Sequence, residues 1–283
     1  MSDPSGTVFL VRRYLALDLE TVPDEDLVSA VDGEPSRPYP DKLGRLLAAR
    51  RAQSGGRSDF LPIPYHRPVA ACTLDAVERD GALVVSDVGC WTDRRGHEAS
   101  FLERTWERLD RRTLVTFHGK GFDLPVLELR SLKLGLSVPG WFSAGRQGAP
   151  DDHHDLFDLL SNGGAAPSAP LDLYAKLVGL PGKENVAGKD VGLLYAQGAL
   201  DRIAGYCMSD VVQTWLLYLR FRLLAGTLTP AAYTRSVASC REDLPAHFAE
   251  RFEPAARAHL AAFLDRCAPF FEEVPALALS RAG

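Results

Sequence analysis

Apolar and polar positions divide this chain of 283 residues into strand-like and helix-like segments. The strand-like runs are short, rich in branched or aromatic residues and bounded by turn residues. They cover residues 8–20, 69–77, 82–91, 113–117 and 155–159. Between the second and third runs, Arg79-Asp80-Gly81 is a turn signal that predicts a β-hairpin.

Helical spacing of apolar residues predicts the segments between and after these strands. The predicted helices cover residues 97–110, 122–134, 171–178, 190–196 and 200–224. A hairpin followed by alternating strands and helices favours an α/β fold with a mixed central sheet flanked by helices.

Two segments stand apart from this pattern. Residues 22–66 are rich in Pro, Gly, Ser and Arg, which predicts a surface insertion with one short helix near residues 42–51. Residues 137–152 and 179–188 are predicted loops. The tail has a helical pattern broken by Pro245, Pro254 and Pro275. We therefore expect a main domain at residues 8–225, carrying the insertion, and a helical C-terminal extension at residues 226–283.

Composition narrows the class of protein. Hydrophobic residues make up 46% of the chain and the net charge is −5, which argues against a generally basic coat but permits local nucleic-acid binding. The five scattered cysteines contain no CxxC pair, so neither a zinc site nor a disulfide scaffold is indicated. The first residues lack a signal-peptide pattern, and the apolar stretch 211–224 is too polar and short to span a bilayer. We expect a cytoplasmic protein with reduced thiols.

The first candidate site lies at the end of the first predicted strand. Side chains alternate along a strand, so Asp18 and Glu20 share one face while Leu17 and Leu19 share the other. Two neighbouring carboxylates on a half-buried strand repel each other and lose hydration. A hard divalent cation, Mg²⁺ or Mn²⁺, would relieve both costs.

Two further segments carry chemistry of the same kind. Asp123 opens a predicted helix after Gly119-x-Gly121, where an acid is also an ordinary helix cap. A dinucleotide fingerprint is rejected there, because Leu124 takes the third glycine position and Asp123 would repel a pyrophosphate. Tyr206 and Asp210 lie one helical turn apart, beside a buried stripe.

Taken together, the three segments resemble a known enzyme superfamily. The stretches LALDLETVP, VTFHGKGFDLPVLELRSL and YCMSDVVQTWLLYLRF resemble the three motifs of the DEDD superfamily of 3′–5′ exonucleases, in the subtype with a tyrosine in the third motif. That subtype includes the proofreading domains of family-B DNA polymerases. HDLFDLLS and LPGKENVAGKDV are similar to a bacterial family of stand-alone predicted exonucleases related to those domains. The resemblance covers residues 8–225 and implies a ribonuclease H-like fold.

The resemblance also assigns roles to individual residues. It implies that two divalent metal ions, Mg²⁺ or Mn²⁺, are held by four acids, and that a tyrosine completes the catalytic set: Asp18, Glu20, Asp123, Asp210 and Tyr206. Gly205 stands where the histidine subtype has its histidine, so that subtype is not supported. His118 replaces the usual asparagine of the second motif and, with Phe122, is a candidate substrate contact.

The expected function is therefore metal-dependent 3′–5′ hydrolysis of single-stranded nucleic acid, with DNA favoured over RNA. Two alternatives stay open: a catalytically silent nucleic-acid-binding module on the same fold, and a 3′–5′ exoribonuclease. Lys183 and Lys189 are in a predicted loop and could meet phosphates, but solvated loop lysines are the favoured interpretation. Asp155 and Asp158 are expected to be structural acids that cap turns. The sequence indicates neither a protein partner nor an oligomeric state.

Overall fold

A five-stranded mixed sheet forms the centre of the protein. The computed structural model describes residues 12–93, 96–143, 153–183 and 188–273, with only the backbone at residues 188 and 189. The strands are β1 (Arg13–Pro23), β2 (His66–Arg79), β3 (Ala82–Thr92), β4 (Thr113–Thr116) and β5 (His153–Asp155). They lie in the order β3-β2-β1-β4-β5, and β2 is antiparallel to its neighbours while β1, β4 and β5 are parallel. This arrangement confirms the predicted α/β, ribonuclease H-like fold.

Helices cover both faces of the sheet in the part of the chain that is described. They are α1 (Glu25–Asp32), α2 (Tyr39–Gln53), α3 (Glu98–Leu109), α4 (Asp123–Leu134), α5 (Pro139–Ser143), α6 (Leu156–Leu160), α7 (Leu171–Leu177), α8 (Gly188–Ala196), α9 (Leu200–Leu224), α10 (Pro230–Arg251), α11 (Pro254–Arg266) and α12 (Ala268–Glu272). None of these described helices combines the length and apolarity that a bilayer crossing requires.

The hairpin and the first strand follow from local backbone preferences. Asp80 and Gly81 have φ angles of 49° and 76°, and a two-residue turn with positive φ at both positions matches the twist of the strands it joins. β1 continues to Pro23, three residues further than expected, and the start of the predicted strand lies outside the described residues.

Alternation along β1 separates two hydrophobic layers. Tyr14 and Ala16 pack into a large core with α9 and the C-terminal helices, whereas Leu15, Leu17 and Leu19 pack with α3 and α4. The longest helix, α9, is buried along most of its length because the sheet lies on one side and α10 and α11 on the other. The C-terminal helices thus share the main core, and the domain boundary at residue 225 stays a prediction.

Several predicted elements were wrong in detail. The predicted strand at 155–159 is the helix α6, because Asp155 ends β5 and its side chain accepts a hydrogen bond from the Phe157 N–H as a helix cap. Pro245 lies inside α10 and does not break it; its ring is exposed, so water can reach the carbonyl that loses its helical partner. The insertion holds two helices instead of one, and α5 lies in the predicted loop at 137–152, whose remainder from residue 144 onward is outside the described residues.

Candidate functional site

Strand β1 and helix α9 bring three carboxylates to one point. Asp18 and Glu20 are on the β1 face opposite Leu17 and Leu19, and α9 crosses that face. One oxygen of Asp18, one of Glu20 and one of Asp210 all lie within 4.8 Å of one another. Glu20 and Asp210 are buried, and Asp18 is half-buried. Residues 190 positions apart in sequence are thus close enough to share one cation.

The fourth predicted acid, Asp123, is adjacent to this group but has a different environment. It is the first residue of α4 and is 5% exposed. Its Oδ1 accepts a hydrogen bond of 3.0 Å from the backbone N–H of Leu19, which lies between Asp18 and Glu20 on β1. The start of α4 is therefore tied to the acidic strand, although Asp123 is not among the three acids that converge within 4.8 Å.

The cluster is electrostatically costly without a cation. Burial raises the pKa of all four carboxyl groups, and their mutual repulsion adds to the effect at Asp18 and Glu20. The pKa of Glu20 rises to about 8, by burial first and then by the charge of Asp210. The pKa of Asp123 rises to about 7, chiefly by burial. Protons or cations must therefore neutralise part of this site near neutral pH.

A lysine supplies one of these positive charges. Lys183 Nζ lies 2.5 Å from Asp210 Oδ2 and 5.3 Å from the centre of the Tyr206 ring. Burial opposes the charge of Lys183, but Asp210 and Asp18 more than offset it and raise its pKa above the usual value. Lys183 is an exposed loop residue, as predicted, but the prediction did not include its pairing with Asp210. The side chain of Lys189 lies outside the described residues.

Tyr206 borders the same carboxylates. It lies one turn before Asp210 on α9 and is 4% exposed. Burial, followed by the charge of Asp210, raises the pKa of its phenol above the usual 10. The hydroxyl consequently stays protonated at neutral pH and can orient a neighbouring group by hydrogen bonding.

Gly205, the residue before Tyr206, is closely packed against helix α11. A Cβ atom at Gly205 would lie 3.3 Å from the backbone Cα of Ala256 and 3.3 Å from the ring of His259 on α11. A larger residue there would force α9 and α11 apart. The packing of the C-terminal helix thus agrees with the absence of a histidine at this position.

The two predicted substrate contacts belong to different aromatic groups. His118 is exposed, and its ring lies 4.2 Å from that of Phe157. Phe122 is half-buried and contacts the rings of His66 and Phe60, at centroid distances of 4.9 and 5.7 Å. Sequence reasoning missed Phe60 and His66, since both lie in the insertion and nothing in their local pattern points to Phe122.

Asp155 and Asp158, which the sequence predicts to be structural acids, both contact the loop between β4 and α4. The Asp155 carboxylate accepts hydrogen bonds from the backbone N–H groups of His118, Lys120 and Phe157. Asp158 pairs with Lys120 at 3.3 Å. Asp155 therefore fixes the loop that leads from β4 to Asp123.

The donor set fits a hard divalent cation. All converging ligand atoms are carboxylate oxygens, the type that Mg²⁺ and Mn²⁺ prefer. Their burial with only partial compensation by Lys183 leaves negative charge that a cation would offset.

Comparison with known proteins places most of the chain in a family of predicted nucleases. Residues 58–267, about three-quarters of the chain, match the family described as predicted 3′–5′ exonucleases related to the exonuclease domain of PolB. The chain belongs to this PolB-related exonuclease family. The matched range contains Asp123, Tyr206 and Asp210, whereas Asp18 and Glu20 precede it.

Individual relatives are longer proteins. A DNA polymerase of Pyrococcus glycovorans is 29% identical over 126 residues, which are 38% of this chain and 16% of the polymerase. The family-B DNA polymerase of Pyrobaculum calidifontis superposes with a TM-score of 0.45 and 17% identity, over 93% of this chain and 30% of the polymerase. Exonuclease I superposes with a TM-score of 0.33 and 11% identity, over 84% of this chain and 45% of that enzyme. The chain spans less than half of each of these relatives.

Proposed function

We propose that this member of the PolB-related exonuclease family is a metal-dependent 3′–5′ exonuclease of single-stranded nucleic acid, with DNA as the preferred substrate. One observation carries the proposal: carboxylate oxygens of Asp18, Glu20 and Asp210 converge within 4.8 Å, on elements distant in sequence. A solvated strand end or a surface Tyr–Asp pair would not produce such convergence.

The four acids would hold a pair of Mg²⁺ or Mn²⁺ ions, with Asp18, Glu20 and Asp210 as the central donors and Asp123 at the side. Such ions, when bound, activate a water molecule and offset charge on the leaving oxygen of a phosphodiester. The protein's own contribution is to keep these donors prearranged and, apart from the half-buried Asp18, buried, since burial strengthens every electrostatic interaction in the site.

Tyr206 and Lys183 complete the proposed catalytic set. With its pKa raised, the Tyr206 phenol keeps its proton and would orient the attacking water without removing its proton. Lys183 contacts Asp210 and would place a positive charge near a substrate phosphate. His118 and Phe122 are proposed to contact the nucleotide.

A silent binding module is the main alternative, and the complete set of acids argues against it. An inactive site would have no need to keep four neighbouring carboxylates, three of them buried and the fourth half-buried. The choice between DNA and RNA depends on contacts to the 2′-hydroxyl, so it is left to experiment.

The decisive experiment incubates the protein with 5′-labelled single-stranded DNA or RNA, in Mn²⁺ or in chelator. We expect a ladder that shortens from the unlabelled end, on DNA more than on RNA, and only with the ion present. Asp18→Ala and Asp210→Ala should abolish the ladder, whereas Asp158→Ala, which changes an acid on α6, should retain it. Circular dichroism would verify that each variant is folded. Full activity in both site variants would refute the assignment.

A further inference from the structure

A large groove adjoins the carboxylates on the side of the insertion. Its volume is about 1820 Å³, and it is lined by the end of β1 from Leu19 to Pro23, including Glu20, and by Asp24, which caps α1. Pockets that enclose one small molecule are typically about 300–1,000 Å³. The groove is thus large enough for a segment of a polymer, and Glu20 belongs both to it and to the acid cluster.

The insertion and α8 form the two walls. On one side, α2 directs Tyr39, Leu43 and Leu47 into the groove. On the other side, α8 contributes Leu193 and Tyr195. Leu193 is 63% exposed, so an apolar surface faces the open groove.

Three aromatic rings lie together along the groove. The ring of Phe60 is 4.9 Å from that of His66 and 5.7 Å from that of Phe122. His66 Nε2 donates to the carbonyl of Leu61 at 3.1 Å, and its Nδ1 accepts from the Thr21 hydroxyl at 2.8 Å. These bonds fix the His66 ring, whereas Phe60 is 57% exposed. An open aromatic face is thus available next to the candidate catalytic helix α4.

The insertion is fastened to the elements that carry the acids. The Asp24 N–H donates to the carbonyl of Tyr65 at 2.7 Å, which joins the two ends of the insertion. The Asp24 carboxylate pairs with Arg130 and with Lys133 on α4, the latter at 2.6 Å. Because α4 begins at Asp123, the aromatic group has a fixed position relative to the acid cluster.

One segment of the insertion is basic, although residues 22–66 as a whole contain seven acidic and six basic side chains. Residues 39–58 contain five basic side chains and one acidic one, while the whole chain has a net charge of −5. Arg45 and Arg51 on α2 have about two-thirds of their side chains exposed. Each also lies within ion-pair distance of an acid, Arg45 at 3.9 Å from Asp32 and Arg51 at 3.4 Å from Asp59, and neither lines the groove itself. Exposed pairs of this kind are weak, so a phosphate can replace the carboxylate partner.

From these observations we propose that the insertion is a single-strand clamp, in which Phe60, His66 and Phe122 stack the bases upstream of the scissile bond while Arg45 and Arg51 neutralise their phosphates. Aromatic platforms beside basic residues are how proteins bind single strands without sequence preference. The clamp deepens the proposed exonuclease function and rests on it, since the groove leads to Glu20. It also assigns the occupant, an unpaired nucleic-acid strand of several nucleotides.

Affinity for oligothymidylates tests the aromatic part. Fluorescence anisotropy of 5′-labelled strands, measured in chelator, should show about tenfold weaker binding for Phe60→Ala, in line with the stacking of one base. Phe60→Trp should retain wild-type affinity. Phe142→Ala is the matched control, because Phe142 is half exposed on α5 and does not line the groove. Equal affinity of Phe60→Ala and wild type would overturn the clamp.

Salt dependence tests the basic part. A double variant Arg45→Ala/Arg51→Ala should lower the slope of log affinity against log salt by about one to two, because each phosphate contact contributes roughly 0.7 for single strands. Arg241→Ala, an exposed arginine of α10, should leave the slope unchanged. An unchanged slope in the double variant would contradict phosphate contacts on α2.

A minimal substrate separates failure of the clamp from failure of the proposed function. The p-nitrophenyl ester of thymidine 5′-monophosphate has one phosphodiester and no upstream strand; water would release thymidine 5′-monophosphate and p-nitrophenol. We expect Phe60→Ala to hydrolyse it at the wild-type rate while degrading an oligothymidylate with a raised KM. Equal loss on both substrates would show that Phe60 acts on the catalytic acids, which refutes the clamp. A wild-type protein inactive on both substrates would instead refute the proposed exonuclease.

Discussion

At the scale of single residues, Lys183 illustrates how a charged group stabilises the acid cluster. Its ammonium pairs with Asp210 next to Tyr206, in a place where a cation is also expected. A lysine in this position lowers the cost of four acids when no metal ion is bound. In the proposed exonuclease site it would also compete with a metal ion for the Asp210 carboxylate.

The first prediction concerns that competition. In chelator, Lys183→Met should lower the free energy of unfolding by about 1–2 kcal/mol. This loss is smaller than the loss from breaking a fully buried ion pair, because the Lys183 side chain is 37% exposed. Mn²⁺ should bind the variant more tightly, since a repelling charge is removed. Denaturation with and without Mn²⁺ measures the first effect, and isothermal titration measures the second. Lys176→Met, at an exposed pair with Asp172, should change neither clearly. Weaker Mn²⁺ binding by Lys183→Met would contradict the competition.

The second prediction concerns the phenol of Tyr206. Tyr206→Phe removes one hydroxyl and no carboxylate, so turnover should fall about 10²- to 10³-fold while Mn²⁺ affinity stays near wild type. Single-turnover kinetics and calorimetric metal titration check the two parts. Tyr218→Phe serves as the control, because Tyr218 is on the same helix and bonds Arg222 away from the acids. Loss of the metal titration in Tyr206→Phe would count against an orienting role.

His118 stands where the motif that this segment resembles has asparagine, and its backbone conformation suits both residue types. Its φ of 68° lies in the left-handed region, which Asn, Asp and His adopt more readily than other residues with a side chain. Its backbone N–H donates to Asp155 at 2.7 Å, a bond that any residue could make. Histidine and asparagine thus meet the same backbone requirement, although their side chains differ.

At the scale of elements, the loop from β4 to α4 determines where Asp123 lies. Asp155 at the end of β5 accepts three backbone hydrogen bonds, two of which come from this loop. Asp123 in turn accepts from Leu19 on β1. Three neighbouring strands thereby fix one acid of the site.

The third prediction tests this support. Asp155→Ala leaves three partly buried N–H groups without their acceptor, so the free energy of unfolding should fall by about 3 kcal/mol, or about 1 kcal/mol for each bond. Exonuclease activity at a temperature where the variant is folded should also fall, because Asp123 loses its position. Asp158→Ala on the adjacent helix is the control and should change stability by less than about 1 kcal/mol. Chemical denaturation with an activity assay measures both, and unchanged values for Asp155→Ala would reject the argument.

At the scale of the whole molecule, the acid cluster couples stability to pH. Folding raises the pKa of Glu20 from 4.5 to about 8 and that of Asp123 from 3.8 to about 7. The folded protein therefore binds more protons than the unfolded chain between these values. The stabilising effect of these protons is complete below the unfolded pKa and is lost as pH rises through the folded pKa.

The fourth prediction follows from this loss of stability with rising pH. In chelator, the melting temperature should fall as pH rises from 6.5 to 8.5. Buried His153, whose pKa is lowered from 6.5 to about 3, has the opposite effect on stability, but most of that effect is complete by pH 6.5. Mn²⁺ should reduce this fall. Glu20→Gln should flatten it and raise the melting temperature at pH 8, whereas Glu250→Gln, exposed on α10, should not. Scanning calorimetry provides the measurement; a wild-type melting temperature that rises with pH in chelator would contradict the cluster's electrostatics.

Periodicity and turn chemistry in the sequence determined most of the elements. Local preferences that do not need the rest of the chain account for the hairpin at Asp80-Gly81, the first turn of α4 with Pro125, the end of α4 at Gly135, and the whole of α9. The alternation of Leu17 and Leu19 with Asp18 and Glu20 likewise determined which face of β1 is acidic. Where local signals conflicted, as at Asp155 and Pro245, the predictions were wrong.

Only the tertiary structure decided which distant groups meet. The 2.5 Å contact of Lys183 with Asp210, the placement of Phe60 beside Phe122, and the packing of α11 against Gly205 join segments that no periodic pattern relates. Hydrophobic spacing reports which face of an element is buried, whereas the partner on that face depends on how the sheet and helices pack in three dimensions. For this reason the acids could be named from the sequence, but the pairing of Lys183 with Asp210 and the groove beside Glu20 could not.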